Sequence, residues 1–181
     1  MVLIGLGSNQ GESQEIILRA MDLLGQFAVP GSYARSSLWR TSPVDCPPES
    51  GDFINAAVSF SPIIGLTPEG LLVQLKRIER AYGREPNIVR NAPRELDLDL
   101  LLYNAEIRTS EEFTLPHPRA RDRLFVLAPA NEVAPNAQWP GLLEADEVNA
   151  LGSTLELAKT TVQLLDKLET DEHVASLELV T

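Results

Sequence analysis

Arg94-Glu95-Leu96-Asp97-Leu98-Asp99-Leu100-Leu101-Leu102-Tyr103 decides how this chain is read. Leucine alternates with acid through residues 95–100, and a continuous apolar run follows. That pattern predicts a strand entering a core over residues 96–103. Side chains two apart on a strand share a face and lie roughly 7 Å apart, so Asp97 and Asp99 point the same way. Two such carboxylates repel unless a cation lies between or above them. A hard divalent cation such as Mg²⁺ takes one or two carboxylates and leaves positions for phosphate oxygens. Arg84, Arg90 and Arg94, just upstream, suit those phosphates. Alone, the pair also fits a solvated strand face paired to arginine. The residues around it favour the metal.

Working outward, residues 2–6 read as a buried strand. Residues 14–27 carry Ile16, Ile17, Ala20, Met21, Leu23, Leu24 and Phe27 at helical spacing. Residues 34–41 read as a second strand, 42–52 as a proline-bearing loop, and 53–60 as a third strand. Thr67-Pro68-Glu69 is a helix start: Thr as cap, Pro at the first position, an acid in the first turn. That helix runs to about Tyr82, with Leu71, Leu72, Leu75, Ile78 and Ala81 inward and Gly83 just past its end. Residues 84–93 form a loop between prolines. Asn104-Ala105 turns the chain into a short strand over 106–108, and 114–118 is extended. Helices are expected over 121–130 and 151–169, and residues 170–181 are expected to fray. Strands and helices alternate but hairpin-like pairs also occur. The fold class expected is α+β, with helices packed on a mostly antiparallel sheet.

The 181 residues suit one domain, here residues 1–160, with 161–181 as the end of the last helix and an acidic tail. Hydrophobic content of 44% allows a real core. No run of 18 apolar residues exists to span a membrane, and the start Met1-Val2-Leu3-Ile4 reads as a strand rather than a signal peptide. The single cysteine, Cys46, permits a reducing compartment, and a cytoplasmic location is expected. A monomer is also expected. A net charge of −11 argues against a general nucleic-acid binder. Yet residues 77–123 hold nine of the twelve arginines beside nine acids, a mixture that suits an anion-plus-metal site.

Gly5-x-Gly7-Ser8-Asn9 lacks the third glycine of a dinucleotide fingerprint and the Lys of a phosphate-binding loop. It is read as a tight strand-to-turn junction needing unusual φ values. His117 is flanked by Pro116 and Pro118 and followed by Arg119, Arg121 and Arg123. That setting suits donation to a phosphate oxygen or a leaving group.

Together these stretches resemble the 6-hydroxymethyl-7,8-dihydropterin pyrophosphokinase family. The residues that carry the resemblance are Gly5-Leu6-Gly7-Ser8-Asn9, Arg40-Thr41-Ser42-Pro43-Val44, Phe53-Ile54-Asn55-Ala56-Ala57-Val58, Ile78-Glu79 with Gly83-Arg84, Pro93 to Asp99, and Leu115-Pro116-His117 with Arg123-Leu124-Phe125. The resemblance implies a ferredoxin-like α+β fold. It implies transfer of the terminal diphosphate of ATP to the pterin hydroxymethyl group, releasing AMP, in folate biosynthesis. It implies that Asp97 and Asp99 hold two Mg²⁺ around the ATP phosphates, and that Arg84 and Arg94 join them in catalysis. Glu79, Arg84, Arg94, His117 and Arg123 match ATP-site positions. Thr41, Ser42, Val44, Phe53, Asn55 and Phe125 match the pterin pocket.

Three departures stand out: Pro86 and Asn91 replace an arginine and a tryptophan common on a mobile loop, and Glu95 replaces a common threonine. They motivate a second hypothesis, a catalytically weak pterin- and nucleotide-binding paralogue. A third is an unrelated Mg²⁺-dependent phosphohydrolase. Residues 84–93 are expected to close over both substrates, less completely than where the tryptophan is present.

Overall fold

The computed structural model describes residues 1–43, 51–83, 94–110, 112–120, 123–137 and 177–180. Expectations on Val44, Arg84, Arg121, the 84–93 loop and the 151–169 helix lie outside the described residues. The described chain runs β1 (Val2–Ser8), α1 (Ser13–Leu24), β2 (Ala34–Arg35), β3 (Leu38–Thr41), β4 (Phe53–Phe60), α2 (Pro68–Ala81), β5 (Asp97–Tyr103), β6 (Arg108–Thr109), β7 (Thr114–Leu115), α3 (Leu124–Val133) and β8 (Leu177–Val180).

The main sheet has the order β5-β1-β4-β3-β8, with β2 also paired to β4. Its paired strands are antiparallel. With β2 and β3 counted as one broken strand, the order is that of a split βαββαβ unit, the ferredoxin-like α+β arrangement. A separate β6–β7 hairpin follows the turn at Asn104, whose φ of 49° is left-handed. No helix among the described residues is long and apolar enough to cross a membrane.

Alternation along the strands divides the sheet into two faces. Val2, Ile4 and Leu6 of β1, Ile54, Ala56, Val58 and Phe60 of β4, and Leu98 and Leu100 of β5 point to one face. There they meet Ile17, Ala20, Met21 and Leu24 of α1 and Leu71 and Leu75 of α2. This is the main core. The opposite face carries Leu3, Ala57 and Leu101, packed on Ala130 and Ala134 of α3 and its flank. Sparse apolar cover on that second face leaves room for a cleft.

Five local expectations are corrected. The 34–41 strand is broken at Ser36–Ser37. The Ser36 hydroxyl accepts the Ala57 N–H at 2.8 Å, where a strand carbonyl would stand, while the Ser36 N–H donates to the Ala57 carbonyl at 2.9 Å. Gly5 and Gly7 sit inside β1 and neither has positive φ; Gly11, in the turn beyond, has φ of +65°. Ala81 is exposed, because the inward row 71-75-79 ends in a carboxylate, Glu79. Residues 177–180 do not fray but pair with β3 from Leu38↔Val180 to Thr41↔Leu177, closing what would otherwise be an open edge. Leu23, expected inward, is 42% exposed, since 17-20-21-24 already fills the buried stripe of α1.

The start of α2 follows the sequence reading closely. Thr67 Oγ1 accepts the Gly70 N–H at 3.0 Å, and Gly83 follows the helix with φ of +85°. Thr67→Ala should cost about 0.5–2 kcal/mol of unfolding free energy in urea, with unchanged m-value. A cost near zero would mean that packing alone sets this helix start.

Candidate functional site

Two rows of residues cross the second face. Asn55 of β4, Gly7 of β1 and Asp97 of β5 stand in register, and so do Ala57, Gly5 and Asp99. Directly opposed residues share a face. The two glycines therefore leave a bare main-chain floor between Asn55 on one side and the aspartates on the other. A Cβ on Gly7 would stand 3.2 Å from Asn55 Oδ1, tighter than ordinary contact, and one on Gly5 would touch the Leu101 side chain at 3.4 Å. The glycines are present for space, which the sequence motif alone did not reveal.

A cleft opens above this floor. It is lined by Thr41, Ser42, Phe53, Asn55, Arg94, Asp97, Asp99, Arg123 and Phe125, together with the glycines. So the structure brings together nearly every described residue singled out from sequence. On the β4 side, Asn55 and Thr41 are both buried, and Asn55 Nδ2 donates to Thr41 Oγ1 at 2.8 Å. That bond fixes the plane of the amide. Phe53 and Phe125 flank the pocket, and the Arg123 guanidinium lies over the Phe125 ring at 5.4 Å.

On the β5 side, Arg94 Nη1 pairs with Asp97 Oδ2 at 3.1 Å. Arg94 is held in place by Asn9: the Arg94 N–H donates to Asn9 Oδ1 at 2.9 Å, and the Asn9 N–H donates to the Arg94 carbonyl at 3.2 Å. Arg94 Nε and Asn9 Nδ2 are buried donors with no acceptor among the described residues. Such groups carry a cost that an incoming oxygen would relieve. Asn9 lay in the Gly5-to-Asn9 motif, and its position there was the only signal of its role.

Two candidates fall outside the cleft lining. His117 is half-buried beside β5, its N–H donating to the Leu101 carbonyl at 2.9 Å. Burial pulls its imidazole below the usual range, against an upward pull from Asp99. Glu79 is fully buried behind β5. Its Oε1 accepts the Leu98 N–H at 2.9 Å and its Oε2 pairs with Lys76 Nζ at 2.9 Å. The acid expected to meet a nucleotide thus grips the strand between the two aspartates, a role its sequence position did not disclose.

No cluster of three or more His, Cys, Asp or Glu suited to a metal occurs among the described residues. Two carboxylates above a floor open to a ligand fit Mg²⁺, which completes its shell with water and phosphate oxygens. Burial, then the neighbouring Asp97, raise the Asp99 carboxyl above its usual range, while His117, Lys76 and Arg94 pull it down.

That raised pKa has a sign. The folded chain keeps a proton that the unfolded chain has released, so ionising Asp99 costs stability as pH rises above the unfolded value. In a chelating buffer, Asp99→Asn should raise the urea midpoint at pH 7. The gain should fade as pH drops below about 4, the ordinary Asp value. A variant less stable than the parent at pH 7 would show that the cations more than offset the burial.

Comparison with known proteins matches residues 3–135 to the family model of 7,8-dihydro-6-hydroxymethylpterin-pyrophosphokinase. The chain is 40% identical over 130 residues to a 2-amino-4-hydroxy-6-hydroxymethyldihydropteridine pyrophosphokinase of Bacillus subtilis, covering 72% of this chain and 75% of that one. It is 39% identical over 135 residues to the protein of that name from Methylorubrum extorquens, covering 74% and 82%. A folate synthesis bifunctional protein of Arabidopsis thaliana is 38% identical over 128 residues, which span 71% of this chain but 26% of the longer one. Among solved structures, a chain described as HPPK-DHPS in complex with substrates superposes with a TM-score of 0.65 at 13% identity. That match covers 96% of this chain and 44% of the other, and it speaks to the fold alone.

Proposed function

The chain belongs to the 7,8-dihydro-6-hydroxymethylpterin-pyrophosphokinase family, and from that premise we propose how its cleft moves a diphosphate from ATP to the pterin. Membership carries the pyrophosphokinase role in folate synthesis. The division of labour within the cleft, and the need for Mg²⁺, are our reading.

The observation that carries it is the row Asn55–Gly7–Asp97. It sets an amide that can read a heterocycle and a carboxylate that can hold a metal on either side of a floor without side chains. The pterin ring would lie between Phe125 and Phe53, with its polar edge toward Asn55. Aromatic stacking adds about 0.5–1.5 kcal/mol beyond area burial. The Thr41 bond to Asn55 Nδ2 orients the amide before the ligand arrives, so little entropy is lost on binding. Thr41 and Ser42 would close the pocket beside it.

The phosphates would lie over Gly5 and Gly7 toward β5. Asp97 and Asp99 would hold two Mg²⁺, which, when bound, neutralise and align the phosphate oxygens. Arg94, braced by Asn9, would give its guanidinium to the phosphates, and Arg123 at the start of α3 would reach them from the pterin side. The pterin hydroxymethyl oxygen would attack the β-phosphorus in line and give up its proton to solvent, while the bond from the β-phosphorus to the bridging α-phosphate oxygen breaks and AMP leaves with that oxygen. Such a transfer depends on positioning and charge more than on a strong base. A neutral His117 beside Asp99 would donate to a departing phosphate oxygen.

With ATP, Mg²⁺ and the hydroxymethyl-dihydropterin present, AMP should accumulate. Asp97→Asn and Asp99→Asn should each nearly abolish it while the fold survives, and a chelator should do the same to the parent. ADP formed without pterin would point instead to a phosphohydrolase. Near-normal AMP formation by both variants at limiting Mg²⁺ would refute the metal assignment.

Asn55→Ala should weaken pterin binding by roughly 1–3 kcal/mol, since pterin donors are left unpaired, with little effect on a non-hydrolysable ATP analogue. Calorimetry with the reverse ranking would refute the placement of the ring.

A further inference from the structure

The wall of the cleft that carries Phe125 and Arg123 is the first turn of α3, and the side chains that pack this helix on the sheet are mostly small. Ala128, Ala130 and, just past its end, Ala134 are buried there, with Val126 and Val133 partly buried beside them. Small, smooth side chains bury area without setting rotation or axial position. Polar contacts do that here: the Ser59 hydroxyl of β4 donates to the Val133 carbonyl at 2.7 Å, and a carboxylate of α3 reaches β3. Glu132, in the last turn, accepts two N–H groups from the broken strand: Ser37 N–H at 2.8 Å and Trp39 Nε1–H at 2.6 Å.

Three features mark this contact as built. An acid in the last turn opposes the helix dipole, and no basic residue accompanies it there. The Ser37 N–H is available because the Ser36 hydroxyl has taken over the ladder position opposite Ala57, breaking the strand at this point. Glu132 also lies seven residues after Phe125, two helical turns on, so both sit on the same side of α3. Trp39 is in register with Asn55. The clamp thus ties the helix bearing the aromatic wall to the strand that ends in Thr41 and Ser42.

We propose that Glu132 is a positioning residue for the pterin, acting through Phe125 by locking α3 to β3. The inference rests on the reading of Phe125 as the stacking residue. Glu132→Gln can accept only one of the two N–H groups, and Trp39→Phe removes the other partner without touching the helix.

The test is steady-state kinetics on the full chain with both substrates varied. Glu132→Gln and Trp39→Phe should each raise KM for the pterin by about fivefold or more, the scale of one charged hydrogen bond partly expressed in binding. KM for ATP should rise clearly less than KM for the pterin, because Asp97, Asp99 and Arg94 lie on or beside β5 and α3 brings the phosphates Arg123 alone. The double variant should be no worse than the poorer single one. In a Phe125→Ala background, Glu132→Gln should add nothing further to the pterin KM. Equal rises in both KM values, or a full further rise in the Phe125→Ala background, would overturn the proposal. If Phe125→Ala leaves pterin KM unchanged, the stacking reading itself fails. If Phe125→Ala raises it while Glu132→Gln and Trp39→Phe do not, only the clamp fails.

Discussion

Asp97 and Asp99 share one face of an edge strand, and their mutual repulsion is the constraint around which this molecule is arranged. Proximity to Asp97 and burial both work against the charge of Asp99. Three parts of the fold surround that pair. α2 sends Glu79 and Lys76 behind the strand to hold the Leu98 amide, so the main chain between the aspartates cannot relax away. Asn9, at the end of β1, braces Arg94 against Asp97. β1 supplies glycine opposite each acid, which leaves open space there rather than a side chain.

The stability for this comes from the other face. There, large aliphatic side chains of β1, β4 and β5 interlock with α1 and α2. Burial of that kind is worth about 25 cal/mol per Å² and requires no exact partner. The two faces therefore differ in kind: one is held by volume, the other by a few directed bonds. α3 belongs to the second, with alanines against the sheet and the Glu132 and Ser59–Val133 bonds setting its place.

How much of this could be read in the sequence follows the same division. β5, β4, the Thr67 cap and Gly83 were legible because alternation, capping chemistry and positive φ are local and leave a pattern in adjacent residues. The cleft was legible as a set, through the resemblance, but its reasons were not. Gly5 and Gly7 looked like a turn because what a side chain would meet there lies far off in sequence, Leu101 at position 5 and Asn55 at position 7. Glu79 looked like a ligand contact because nothing nearby in sequence says that an inward helix position faces the amide of Leu98. The break at Ser36–Ser37 was missed since a hydroxyl standing in for a carbonyl has no signature in hydrophobic period. β8 was missed because its partner, β3, lies more than a hundred residues upstream and four residues carry too little pattern of their own.

The glycine floor has a consequence for inhibition. A compound that rests on Gly5 and Gly7 takes its shape from main chain, and main chain cannot be trimmed by substitution. A mutation there can only raise the floor, and at position 7 it does so into the Asn55 amide. The natural substrate would be obstructed along with the drug. Affinity drawn from this surface would therefore leave few routes to resistance, whereas affinity drawn from Phe53 or Phe125 could be lost by changing a single ring.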